Sequence, residues 1–141
     1  MRQYLLDEIS RGDIPRIRDY LNEHAVAASL EDIWWVDLPE DLLSPEQFAH
    51  QDCRPFRFAV ELGQNFVRFE LLIRSLQTMR CACIGYATRG QRDFILAFAD
   101  RLVEDLSLRT CLPVKTAGDP RPSATPTAVK ETSSSLSPAG G

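Results

Sequence analysis

A chain of 141 residues that is 44% hydrophobic and 26% charged, with a formal net charge of −4, has the composition of an ordinary single globular domain. No apolar run approaches the ~20 residues of a bilayer-spanning helix, and Asp7 and Glu8 interrupt the N-terminus before a signal-peptide core can form. The four cysteines, Cys53, Cys81, Cys83 and Cys111, lack a secretory context and the density of a disulfide scaffold, so reduced thiols and a cytoplasmic location are expected.

Charge is unevenly placed. Residues 1–53 hold twelve Asp and Glu against four Arg, whereas residues 54–92 hold seven Arg against two Glu. Every basic residue before position 113 is Arg. Arg suits bidentate pairing with carboxylates, so the basic middle has natural partners in the acidic N-terminal part.

In chain order, Leu5, Leu6 and Ile9 recur at helical spacing and predict a first helix over 2–10, ending near Gly12. Asp13 offers an N-cap and Pro15 falls in the first turn, opening a second helix with Ile14, Ile17, Leu21 and Ala25 along one face. Ile33-Trp34-Trp35-Val36 is rich in strand formers, and its two tryptophans must point to opposite faces. Ser44-Pro45-Glu46-Gln47 is a capping box opening a short helix that ends before Cys53-Arg54-Pro55.

The strongest local pattern follows. Phe56, Phe58, Val60 and Leu62 alternate with Arg57, Ala59 and Glu61; Val67, Phe69, Leu71 and Ile73 alternate with Arg68, Glu70, Leu72 and Arg74. This predicts a hairpin with one buried face, and a two-residue Gly63-Gln64 turn would pair Val60 with Val67 and Phe58 with Phe69. Met79 to Ala87 reads as a further strand, with either Ala82, Ile84 and Tyr86 or Cys81, Cys83 and Gly85 facing inward. Thr88-Arg89-Gly90-Gln91 is a second capping box, opening a final helix to about Leu108. From Pro113 onward the sequence is rich in Pro, Ser and Thr and free of aromatics, and 113–141 reads as a disordered tail. The expected fold is α+β over residues 1–112. Two N-terminal helices and one C-terminal amphipathic helix pack on a mainly antiparallel sheet of about four strands, one before and three after the short helix.

There is no Gly-rich phosphate loop, HExxH or nucleophile elbow, and no convergent acid–base–nucleophile set. Three candidate sites remain. His50 and Cys53 form H-x2-C, and Cys81 and Cys83 form C-x-C; imidazole and thiolates are zinc ligands, yet C-x-C on a strand also describes two small buried apolar residues on one face. His50 and Cys53 alone, three apart, are close enough on a helical turn for a Cys–His pair. The third candidate is the outer sheet face, where Arg57, Arg68 and Arg74 project with Phe66 and Leu72. A negative domain repels phosphate at long range, so that face suits a protein partner or a second copy rather than nucleic acid. The reading carried forward is a small non-catalytic interaction domain using the outer sheet face, without a cofactor. Its alternative is a zinc-binding or thiol-active protein using His50, Cys53, Cys81 and Cys83.

Overall fold

The computed structural model describes residues 1–109, so the proposed tail over 113–141 and Cys111 lie outside the described residues. Helices and an antiparallel sheet share one core. The elements in order are β1 (Gln3–Leu6), α1 (Asp13–His24), β2 (Val26–Ala27), β3 (Ile33–Asp37), α2 (Pro45–Ala49), β4 (Phe56–Leu62), β5 (Val67–Glu70), β6 (Leu72–Ser75), β7 (Gly85–Tyr86) and α3 (Arg89–Leu106). The sheet runs β1-β5-β4-β3-β2, with β6 pairing to both β4 and β7. Among the described residues no helix is long and apolar enough to cross a membrane.

The alternation in β4, β5 and β6 produces the core. Phe56, Phe58, Val60, Leu62, Val67, Phe69 and Ile73 are buried in one cluster with Ile17 and Leu21 of α1 and Ile95, Phe98 and Leu102 of α3. Phe98 meets both Phe58 and Phe69 edge-on, with centroids 6.2 and 6.4 Å apart, a geometry that aromatic quadrupoles favour. Trp34 turns inward and donates from Nε1 to Asn22 Oδ1 at 2.8 Å, while Trp35 is only half-buried.

Several expectations need correction. The segment expected as a first helix is β1, paired antiparallel with β5. Tyr4 lies near Phe69 and Leu6 is buried, whereas Leu5 between them is exposed. A run this short fits either period, and the open edge of β5 decides it. One helix, rather than two, therefore precedes the first tryptophan strand. The hairpin forms with its parity intact but its pairs moved by two residues: Leu62 faces Val67 and Val60 faces Phe69. The loop is residues 63–66, closed by Gly63 N–H donating to Phe66 O at 2.8 Å. The Phe66 ring lies where a Cβ on Gly63 would sit, 2.1 Å from its nearest atom. Any larger residue there would have to displace the Phe66 ring.

The expected strand over 79–87 shrinks to Gly85–Tyr86. Residues 76–84 form a loop in which the Ser75 hydroxyl accepts from Gln77 and Thr78 N–H, and Thr78 Oγ1 accepts from Arg80 N–H. Such local hydroxyl bonds compete with a strand ladder. Neither expected facing holds in full: Cys83 is buried, Cys81 and Ile84 are half-buried, and Ala82 and Tyr86 are exposed.

Phe69 is fully buried where β1, β5 and α3 meet, so Phe69→Ala is expected to cost about 3–5 kcal/mol. The urea unfolding midpoint measures it, and a change within error would contradict the packing described.

Candidate metal centre

α2 starts where the sequence places it: Ser44 Oγ accepts from Gln47 N–H, and Gln47 Oε1 accepts from Ser44 N–H, at 3.2 and 3.1 Å. The helix ends after Ala49, with His50 as its C-cap at φ −90°, ψ 70°. A 3₁₀ turn at Gln51–Cys53 follows, closed by Cys53 N–H donating to His50 O at 3.0 Å, so His50 and Cys53 bracket one turn that is 3₁₀ rather than α. The His50 ring meets a different sulfur, with Nδ1 3.1 Å from Cys81 Sγ. Cys53 Sγ is 3.8 Å from Cys81 Sγ. Cys81 and Cys83 arrive from the other side, in a turn closed by Ile84 N–H donating to Cys81 O at 3.1 Å.

Four ligand atoms thereby converge: one nitrogen of His50 and the sulfurs of Cys53, Cys81 and Cys83 all lie within 4.8 Å of one another. Tetrahedral zinc with Zn–S bonds of about 2.3 Å sets its sulfurs about 3.8 Å apart, which is the Cys53–Cys81 spacing. Three soft sulfurs and one imidazole suit zinc chemically. Cys83 is buried, the other three are half-buried, and a cleft of about 440 Å³ lined by Ala49, His50, Gln51, Asp52 and Cys53 opens beside them.

The two thiols of C-x-C differ sharply. Hydrogen bonds from the Cys83 thiol and backbone, reinforced by His50 and Cys53, hold the Cys81 thiol down to about 7. Burial pushes Cys83 up to about 12, with the neighbouring Cys81 and Cys53 adding to it. A bound divalent cation reverses that penalty, because a coordinating thiol is deprotonated outright.

A layer of buried amides stands behind the sulfurs. Gln47 Nε2 donates to Cys83 O at 3.2 Å, and Gln47 Oε1 accepts from Gln91 Nε2 at 2.8 Å. Gln91 also donates to Leu42 O at 2.9 Å and accepts from Thr88 N–H at 3.0 Å, completing the second capping box. The capping boxes announce both glutamines in sequence, but nothing local says that they meet.

The outer sheet face is different in kind. Arg57 donates to Asp37 at 2.9 Å, Arg74 to Glu70 at 3.1 Å, and Arg68 is paired with Glu61. Arg68 also stacks on Phe66, which lies in the β4–β5 loop, at 5.2 Å, and Leu72 is half-buried opposite Tyr86. Each arginine thus already has a carboxylate. A cavity of about 270 Å³, lined by Trp35, Arg57, Arg74, Thr78, Met79 and Ile84 among others, opens where the 76–84 loop overhangs this face. His24 is outside both sites, stacked on Tyr20 with centroids 4.1 Å apart.

Comparison of the chain with protein-family models, curated proteins and solved structures finds no match in any of the three.

In the metal-free protein, Cys81 is expected to react with iodoacetamide at a rate that rises with pH through a midpoint near 7. Cys83 should stay unmodified to far higher pH. Mass spectrometry resolves the two sites, and equal rates would contradict the asymmetry.

Proposed function

We propose that this chain is a zinc-binding domain in which His50, Cys53, Cys81 and Cys83 hold one Zn²⁺ as a structural site. The observation that carries the reading is the meeting of four suitable ligand atoms from two segments far apart in sequence, within 4.8 Å. Four protein ligands complete a tetrahedron and leave no position for a substrate, which favours a structural over a catalytic role. The metal would fasten the 76–84 loop to the end of α2, and a loop that leaves its apolar Leu76 and Met79 exposed gains a cross-link in place of burial. Leu76 and Met79, 54% and 94% exposed, then stand at a fixed place over the outer-face cavity, where they suit the apolar part of a protein contact. The interaction role inferred from sequence is carried by that loop, because the arginines beside it are already charge-matched.

Native mass spectrometry of the purified protein is expected to show one zinc per chain, lost on chelation together with a fall in Tm. Cys53→Ser should bind zinc far more weakly. Absence of any stoichiometric metal, even after refolding with zinc, would overturn the reading. Cobalt(II) in place of zinc should give the visible absorption of a tetrahedral thiolate site, so a colourless cobalt complex counts equally against it.

The Gln47 amide fixes the backbone at Cys83 without touching the metal. Partners of this kind change metal affinity by about 10- to 100-fold. Gln47→Ala is therefore expected to weaken zinc binding within that range, measured by chelator competition, while stoichiometry stays at one. Unchanged affinity would show that the amide layer does not position the ligand.

A further inference from the structure

Two residues of the cluster, Cys53 and Cys81, are half-buried, and its third cysteine, Cys83, is buried. Cys53 Sγ and Cys81 Sγ are 3.8 Å apart, so a disulfide of about 2.05 Å requires them to close by under 2 Å. Neither residue is in the sheet. Cys53 ends a 3₁₀ turn, and Cys81 lies in the 76–84 loop, whose Ala82 neighbour is exposed. Cys83 is buried at 4% exposure with its carbonyl bonded to Gln47, and its partner in C-x-C is too near in sequence for an unstrained bridge. The cleft beside His50 and Cys53 admits small reagents.

We propose that Cys53 and Cys81 are an oxidation site for hydroperoxides, forming a disulfide that dismantles the metal centre and releases its zinc. The proposal rests on the zinc reading for its metal-release half. In the first step a thiolate sulfur of the pair attacks one peroxide oxygen. The O–O bond breaks, a sulfenic acid forms, and the departing hydroxide takes a proton to become water. The second thiolate then attacks the sulfenyl sulfur, the S–S bond forms, and the expelled hydroxide leaves as a second water. In total two thiolates, one hydrogen peroxide and two protons give one disulfide and two waters, with two electrons passing from sulfur to oxygen. The metal loses two of four ligands and leaves as the aqueous dication. The disulfide keeps the 76–84 loop tied to Cys53 while His50 and Cys83 lose the metal, so oxidation would exchange a four-ligand anchor for a single covalent cross-link.

The full chain, first shown by native mass spectrometry to carry one zinc, is treated with hydrogen peroxide while a chromogenic chelator reports free zinc. Unreduced peptides are then mapped by tandem mass spectrometry, which separates Cys81 from Cys83 on their shared peptide. The expected result is release of one zinc per chain in step with a Cys53–Cys81 cross-link, reversed by dithiothreitol and zinc. Cys111→Ser should respond identically. Retention of zinc through peroxide treatment, or a cross-link that uses Cys83 or Cys111 instead, would overturn the proposal. A chain that never carries zinc refutes the metal reading instead, and the Cys53–Cys81 cross-link is then judged on the metal-free protein by the same map.

Discussion

The Gln47 and Gln91 side chains meet at 2.8 Å in the interior, and three otherwise separate parts of the molecule depend on that contact. Each amide belongs to a capping box, so each is first committed to the N-terminus of its own helix. Their remaining donors reach outward, from Gln47 to Cys83 O and from Gln91 to Leu42 O. Buried polar groups that are all satisfied make a rigid network, because any rearrangement strands a donor in a medium that cannot solvate it. The start of α2, the start of α3 and the C-x-C turn are consequently fixed to one another before any metal is considered. His50 follows at the end of α2, so its ring inherits that placement.

A second consequence of the same topology is the neutrality of the outer sheet face. Pairing β3 beside β4 sets Asp37 opposite Arg57, and pairing β5 beside β4 sets Glu61 opposite Arg68. The charge blocks of the sequence thus cancel in two ways, across from the acidic N-terminal part at Asp37 and within the basic block at Glu61 and Glu70. The half-exposed Arg68–Glu61 pair contributes about 0–1 kcal/mol, whereas the Arg57 side chain is only 9% exposed, so loss of Asp37 would leave a buried charge unpaired. Their larger effect is on ligands. An anion approaching Arg57 or Arg74 must compete with a carboxylate already in place, and an apolar contact at Leu76 and Met79 faces no such competitor.

What could be read from sequence divides along a physical line. Features set by short-range chemistry were legible: both capping boxes form as their residues demand, Trp34 and Trp35 part to opposite faces, and the alternation over 56–62 and 67–70 gives the buried face its residues. Features set by what lies across space were not. Residues 3–6 fit a helix or a strand equally, and only the unpaired edge of β5 chooses. The hairpin kept its parity because a slip of one residue would expose the phenylalanines, but a slip of two costs nothing on that count. In the longer loop the Phe66 ring folds over Gly63. The ligand set itself, His50, Cys53, Cys81 and Cys83, was visible as residue types, yet its convergence was hidden by reading C-x-C as a strand. Ser75 and Thr78, whose hydroxyls hold the loop out of the sheet, were the overlooked signal.

That loop is also the best physical reason for expecting a metal. Of its residues, Leu76, Gln77, Met79, Arg80 and Ala82 are exposed, leaving buried Cys83 and half-buried Thr78, Cys81 and Ile84 to hold it by burial. Ordering each loop residue costs ~1–2 kcal/mol of conformational entropy, and a scattering of hydroxyl and backbone hydrogen bonds, each worth about 1 kcal/mol net, offsets only part of it. Structural zinc supplies about 10–16 kcal/mol, a sum of the order that the loop requires. A hydrophobic staple in the same position would hold the loop as well but would not respond to oxidation. Thiolates bind tightly and remain open to two-electron oxidation, and Cys53 and Cys81, whose sulfurs are 3.8 Å apart, lie outside the strands. With zinc bound as proposed, the corner would be held by thiolates that oxidation can exchange for a disulfide.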